Sequence, residues 1–172
     1  NGLFGSRLPK TVVGALGTAM VFIPFCLSAY LFMNFDANSQ PVIVRAFEWF
    51  RVNGMQINFG FQIDQLSLMM MMIITGIGSL IHLYSMGYMS HDKGYYKFFT
   101  YLNLFIFSML LLVMGSNYLI LFIGWEGVGV CSYLLIGFWY ENWEYGKAAR
   151  KAFIMNRIGD LGLLIGIFLI AK

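Results

Sequence analysis

The chain has 172 residues, of which 59% are hydrophobic and only 11% charged, with a net charge of +3 and a mean hydropathy of +0.72. Soluble domains of this size carry about one quarter charged residues, so a surface this poor in charge excludes a water-soluble globule and selects lipid as the solvent. The two cysteines, Cys26 and Cys131, lie in apolar runs without metal-ligand spacing. An iron–sulfur cluster takes about four thiolates, so this chain alone is not expected to hold one, nor any other metal. No block of Lys and Arg points to nucleic acid.

A membrane-spanning helix needs roughly 20 mainly apolar residues. Five segments meet that length, at about 11–35, 63–84, 98–115, 117–139 and 150–171. Pro24 and the frequent glycines are compatible with spanning helices, whose neighbours satisfy freed backbone groups. The expected fold is an all-α polytopic membrane protein, with one transmembrane domain over residues 1–172. The chain opens NGLFGSRLPK, without an initiator Met, and ends in the apolar IGIFLIAK, which reads as a piece of a longer polypeptide.

The connections give the spans an orientation. Arg7, Lys10, Lys93, Lys97, Lys147, Arg150 and Lys151 fall on one side, against Arg45, Arg51 and Lys172 on the other. By the positive-inside rule the first side faces the cytoplasm, or the matrix in a mitochondrion. Between the first two spans, VIVRAFEWFRVNGMQINFGF (42–61) has a different period. Asn53-Gly54 is a two-residue turn signal, and Met55, Ile57, Phe59 and Phe61 alternate with Gln56, Asn58 and Gly60. The pattern predicts a short β-hairpin on the outer face, capping helix ends. Asp64 follows as the expected N-cap of the second span.

Two acids sit deep in apolar runs. Glu126 lies nine residues into the fourth span and Asp160 ten into the fifth, roughly 13 and 15 Å at ~1.5 Å per residue. Insertion scales put an acid at the bilayer centre at about 2.5–3.5 kcal/mol, which marks such a residue as functional by default. The turn around YENWEYGK has Trp143 seventeen residues from each acid, so an antiparallel pair of helices would bring both to one depth. Arg157, at i−3 from Asp160, shares its helix face and is expected to hold Asp160 ionised. Glu126 has no cation within one turn of its own helix; desolvated near another carboxylate, it is expected to hold a proton. Gly124, Gly127, Gly129, Cys131 and Ser132 would let a neighbouring helix approach closely. A plain ion-pair staple at Arg157–Asp160, or a hydrogen-bonding role for a neutral Glu126, is the structural alternative.

His82, in GSLIHLYSMGYM near Tyr84 and Tyr88, fits either an interfacial aromatic belt or a proton entry relay. His91 reads as a solvated loop residue, and Met69 to Met72 as flexible packing. Gly14-Ala-Leu-Gly17 and Gly127-Val-Gly129 follow no strand and are not nucleotide fingerprints.

GWEGVGVCSYLLIGFW, FFTYLNLFIFSMLLLVMGSN, LIHLYSMGYMSHDKGY and KAFIMNRIGDLG together resemble the largest antiporter-like membrane subunit (chain 5 or L type) of respiratory complex I, the NADH:quinone oxidoreductase. The likeness is strong from about residue 59 and covers residues 11–50 only in hydropathy. It implies a subunit of a proton-translocating enzyme whose NADH, FMN, iron–sulfur and quinone sites lie in partner subunits, with no cofactor in this chain. It implies proton translocation through Glu126, with Arg157 and Asp160 as the charged pair of the next helix and a lysine on a later, broken helix. Other membrane subunits, above all a neighbouring antiporter-like one, would be its partners, in a bacterial cytoplasmic or mitochondrial inner membrane. A subunit of a multi-subunit sodium/proton antiporter or a membrane-bound hydrogenase shares the same module, and a passive membrane scaffold is the alternative of a different class.

Overall fold

The computed structural model describes residue 2 and residues 5–35, 40–52 and 55–171. After a short 3-10 turn at Gly5–Arg7 come α1 (Lys10–Asn34), β1 (Val42–Val52), β2 (Met55–Ile63), α2 (Gln65–Tyr88), α3 (Tyr95–Met114), α4 (Tyr118–Ile136) and α5 (Trp143–Ala171). Each of the five helices is long and apolar enough to cross a membrane. The helix ends extend beyond the apolar runs. Thus α2 continues to Tyr88, α3 begins at Tyr95, and α5 begins at Trp143, because residues flanking a span hydrogen-bond equally well in the polar headgroup region. Trp143 is therefore the first turn of α5 and not the midpoint of a loop; Asn142 Oδ1 accepts from Glu144 N–H at 3.0 Å and starts the helix.

The helices zigzag, so the ends carrying most of the Lys and Arg share one face, here the basic face, and β1–β2 lies at the other. Helix α1 packs on α2 and α3, α3 on α4, and α4 on α5. The α3–α4 contact is close because Gly124 has no side chain: an added Cβ would lie 2.5 Å from Leu112 N. Such close approach of backbones is how membrane helices associate where lipid supplies no hydrophobic drive.

The hairpin pairs Val42 with Ile63 through to Val52 with Met55, antiparallel, with register shifts between Arg45 and Phe47 and between Glu48 and Phe50. The Asn53-Gly54 turn and Lys172 lie outside the described residues. The hairpin is pinned to the α3–α4 junction: Ser116 N–H donates to Gly60 O at 3.2 Å, and Asn117 Nδ2 donates to Asn58 O at 2.8 Å. Asn117 also caps α4, its Oδ1 accepting from Leu119 and Ile120 N–H. Asp64 caps α2 in a reciprocal box with Ser67, each accepting the other's N–H at 2.7 Å. Those donors hold the Asp64 carboxyl below the usual carboxylate range, the Ser67 N–H contributing most.

Candidate functional site

The mid-span charges meet across the α4–α5 interface. Tyr133 faces Phe153 with ring centroids 5.3 Å apart. Gly137 lets Ala149 approach, a Cβ there coming 3.2 Å from the Ala149 methyl. These contacts fix the antiparallel register, and one to two turns deeper the same register brings Glu126 opposite Arg157 and Trp125 opposite Asp160.

Arg157 Nη1 donates to Glu126 Oε2, forming an ion pair between the two helices. Asp160 does not share that arginine among the described contacts. Its Oδ1 accepts from the Trp125 indole N–H at 2.7 Å, and the residue is only 5% exposed. This corrects the sequence-based expectation in one place: Arg157 serves the acid of the neighbouring helix, not the one three residues along its own. Glu126 finds on α5 the cation that its own helix lacks. The cause is reach. Arginine's long stem spans an interhelical gap, whereas the short Asp160 side chain stays against α4 beside Trp125. The Glu126 side chain is 20% exposed and that of Arg157 41%, so the pair lies at the edge of the two-helix seam. The Arg157 guanidinium also lies over the Phe153 ring at 4.7 Å, a stacking contact that holds it level with Glu126.

Trp125 is the residue that sequence reasoning missed. A tryptophan in an apolar run reads as packing, but its N–H needs an acceptor away from water. Its position immediately before Glu126 was the available signal.

His82 lies elsewhere. It is 1% exposed, between α2 and α3, with its ring 5.9 Å from that of Phe99. Its Nδ1 is 2.7 Å from Gly78 O, and a carbonyl can only accept, so Nδ1 carries the proton. Nε2 is buried and has no partner among the described residues. The aromatic belt is made instead by Tyr84 and Tyr88, exposed and stacked at 5.8 Å. Thr75, Ser79 and Ser85 line the same buried stripe of α2 as His82, spaced by three or four residues. That stripe was legible as an inward polar face. Among the described residues no group of three His, Cys, Asp or Glu side chains could hold a metal ion.

The described residues thus form a membrane bundle of five helices, with an ion pair between two of them and a hairpin at one end. Residues 49–99 match the family model described as NADH-Ubiquinone oxidoreductase (complex I), chain 5 N-terminus, and residues 115–172 match NADH:quinone oxidoreductase/Mrp antiporter, TM. The chain belongs to this family of antiporter-like complex I subunits. It is 48% identical over 170 residues to NADH-quinone oxidoreductase subunit L of Mycobacterium tuberculosis, covering 97% of this chain and 27% of that protein. It is 52% identical over 160 residues to subunit L of Campylobacter jejuni (92% and 25%) and 41% identical over 170 residues to NADH-ubiquinone oxidoreductase chain 5 of Hypocrea jecorina (99% and 25%). The chain thus spans about a quarter of the length of these relatives. Its fold is also that of a chain in the Mrp complex from Dietzia sp. DQ12-45-1b, with a TM-score of 0.76 at 24% identity, over 94% of this chain and 17% of that one.

Proposed function

We propose that the chain is part of a proton-translocating membrane subunit of NADH:quinone oxidoreductase, and that Glu126, Arg157 and Asp160 form the switch through which protons pass. The observation that carries the reading is the Glu126–Arg157 ion pair, with Asp160 held apart by Trp125. In this arrangement a cation beside Glu126 favours its ionised form. Asp160, three residues along the same helix, is the alternative anchor for Arg157. When Arg157 turns to Asp160, Glu126 is left without a cation in a medium poor in water and takes up a proton; when Arg157 returns, the proton is released.

His82 suits an entry relay on the basic face: its Nε2 is an acceptor with no partner among the described residues, and it lies about two turns from the end of α2. In this reading the NADH, FMN, iron–sulfur and quinone chemistry belongs to partner subunits, and this chain contributes to a translocase without a redox centre of its own. A neighbouring antiporter-like subunit would receive or pass on the conformational signal.

The test is the intact complex carrying Glu126→Gln in sealed vesicles, with NADH oxidation and proton pumping followed together. The reading expects normal assembly and a collapse of protons moved per NADH oxidised; unchanged pumping and oxidation would contradict it. A sodium/proton antiporter is the second reading, favoured by the fold shared with the Mrp chain. It expects no NADH-linked activity in the assembly and an ion gradient that drives counter-transport.

A further inference from the structure

A cavity of about 830 Å³ opens at the basic face, between the α2–α3 link, the first turns of α3, the end of α4 and the first turns of α5. Lys93, in the turn before α3, and Lys97, in the first turn of α3, both line it. Trp139 and Tyr140 form the opposite wall, and Tyr133 and Leu134 line the inner end.

The charges there are unevenly satisfied. Of the carboxylates, Asp92 accepts two hydrogen bonds: Oδ1 from Gly94 N–H at 2.6 Å and Oδ2 from the Trp139 indole N–H at 2.9 Å. Its role is to fasten the Trp139 wall to the α2–α3 link. Glu141 is exposed on the rim. Three other cations of this face have partners. Lys147 pairs with Glu144, Arg150 lies 5.3 Å from the Trp143 ring, and Lys10 donates to Ser90 O. Among the described residues neither Lys93 nor Lys97 enters an ion pair. The Lys97 ammonium instead reaches across the mouth to 6.0 Å from the Tyr140 ring.

We infer that this cavity is a binding site for an anionic phospholipid, its phosphodiester held by Lys93 and Lys97. The position fits: it lies at headgroup depth on the face where positive residues collect, and such faces attract anionic lipids of the inner leaflet. The gradient of chemistry fits as well. Ammonium groups stand at the mouth, Trp139 and Tyr140 at the interfacial level that suits amphipathic rings, and Tyr133 and Leu134 inside, where the glycerol and upper acyl chain would lie. A free phosphate would use the lysines but gain nothing from the apolar inner end.

The test uses the intact complex containing the full-length chain, reconstituted in bilayers of phosphatidylcholine with a small fraction of labelled phosphatidylglycerol. Retention of the labelled lipid is read by native mass spectrometry after mild detergent exchange. A Lys93→Gln/Lys97→Gln double variant is compared with wild type, and a Lys93→Arg/Lys97→Arg variant keeps the charge. Each lysine near an anionic surface is worth about fivefold, so the Gln variant should retain about twenty-five-fold less phosphatidylglycerol, with the Arg variant near wild type and phosphatidylcholine unaffected. Millimolar inorganic phosphate should not displace the lipid. Equal retention by wild type and the Gln variant overturns the proposal. Displacement by inorganic phosphate overturns it in favour of a soluble anion, and loss of a neighbouring subunit from the Gln variant in favour of a protein occupant.

Discussion

Arg157 of α5 pairs with Glu126 of α4, although Asp160 is only three residues away on its own helix. The arrangement divides the charges of the α4–α5 seam into an ion pair at its edge and a buried carboxylate held by an indole. The two halves respond differently to substitution.

A double-mutant cycle on Glu126→Gln and Arg157→Gln, read as thermal stability of the intact complex, should give a coupling of about 1–2 kcal/mol. That lies between exposed and buried pairs, as the partial exposure of both side chains requires. The same cycle on Arg157→Gln and Asp160→Asn should give near zero. A larger coupling for Arg157 with Asp160 than with Glu126 would contradict the observed pairing.

Trp125→Phe keeps the ring bulk and removes the donor to Asp160 Oδ1. A buried acceptor left without its partner costs about 1–3 kcal/mol, at the upper end when it is charged. The loss should largely vanish in an Asp160→Asn background, which no longer presents a buried charge. Additive losses in the double variant would show that Trp125 acts through packing alone.

How much of this was legible in the sequence can be argued from these residues. The five spans follow from apolar runs, and the hairpin from the alternation in 55–61, which sheet pairing with β1 then fixes. The nearly equal depth of Glu126 and Asp160 follows from counting through a short turn, even though α5 begins earlier than the apolar run suggests. The partner of Arg157 was not legible. Helix-face reasoning sees only i±3 and i±4 neighbours, while a guanidinium on a long stem chooses among groups on two helices. The sequence left His82 open between belt and relay for a related reason: its aromatic neighbours in sequence, Tyr84 and Tyr88, are exposed, while His82 shares the buried stripe of Thr75 and Ser79.

Gly124→Ala should separate α3 from α4, because the new methyl would press on Leu112 backbone atoms that cannot yield as a flexible side chain would. Overpacking of this kind costs about 1–3 kcal/mol, and the complex should assemble less well. Gly146→Ala, where nothing lies within 4 Å of the added methyl, should be neutral or slightly stabilising through helix propensity. Relative yields of assembled complex decide the matter.

Asp64 makes the hairpin–α2 junction sensitive to acid. Its carboxyl titrates below the usual range because it accepts the Ser67 N–H, so its contribution is present above the unfolded carboxylate value and is lost as pH falls through the lower folded one. Amide protection at Leu66 and Ser67, relative to the intrinsic exchange rate at each pH, should therefore fall below about pH 4. Asp64→Ala, losing about 1 kcal/mol of cap, should show fast exchange at all pH values. A protection factor that stays constant with pH in the wild-type protein would contradict the assignment.

The central claim, that Glu126 changes protonation as its cation comes and goes, is most directly tested by infrared difference spectroscopy of the intact complex, comparing turnover with rest. The account predicts a protonated-carboxyl C=O band that appears during turnover in the wild-type complex, shifts in heavy water, and is absent from Glu126→Gln. An identical difference spectrum in wild type and Glu126→Gln would mean that Glu126 keeps one protonation state throughout, and the switch built on Arg157 would not stand.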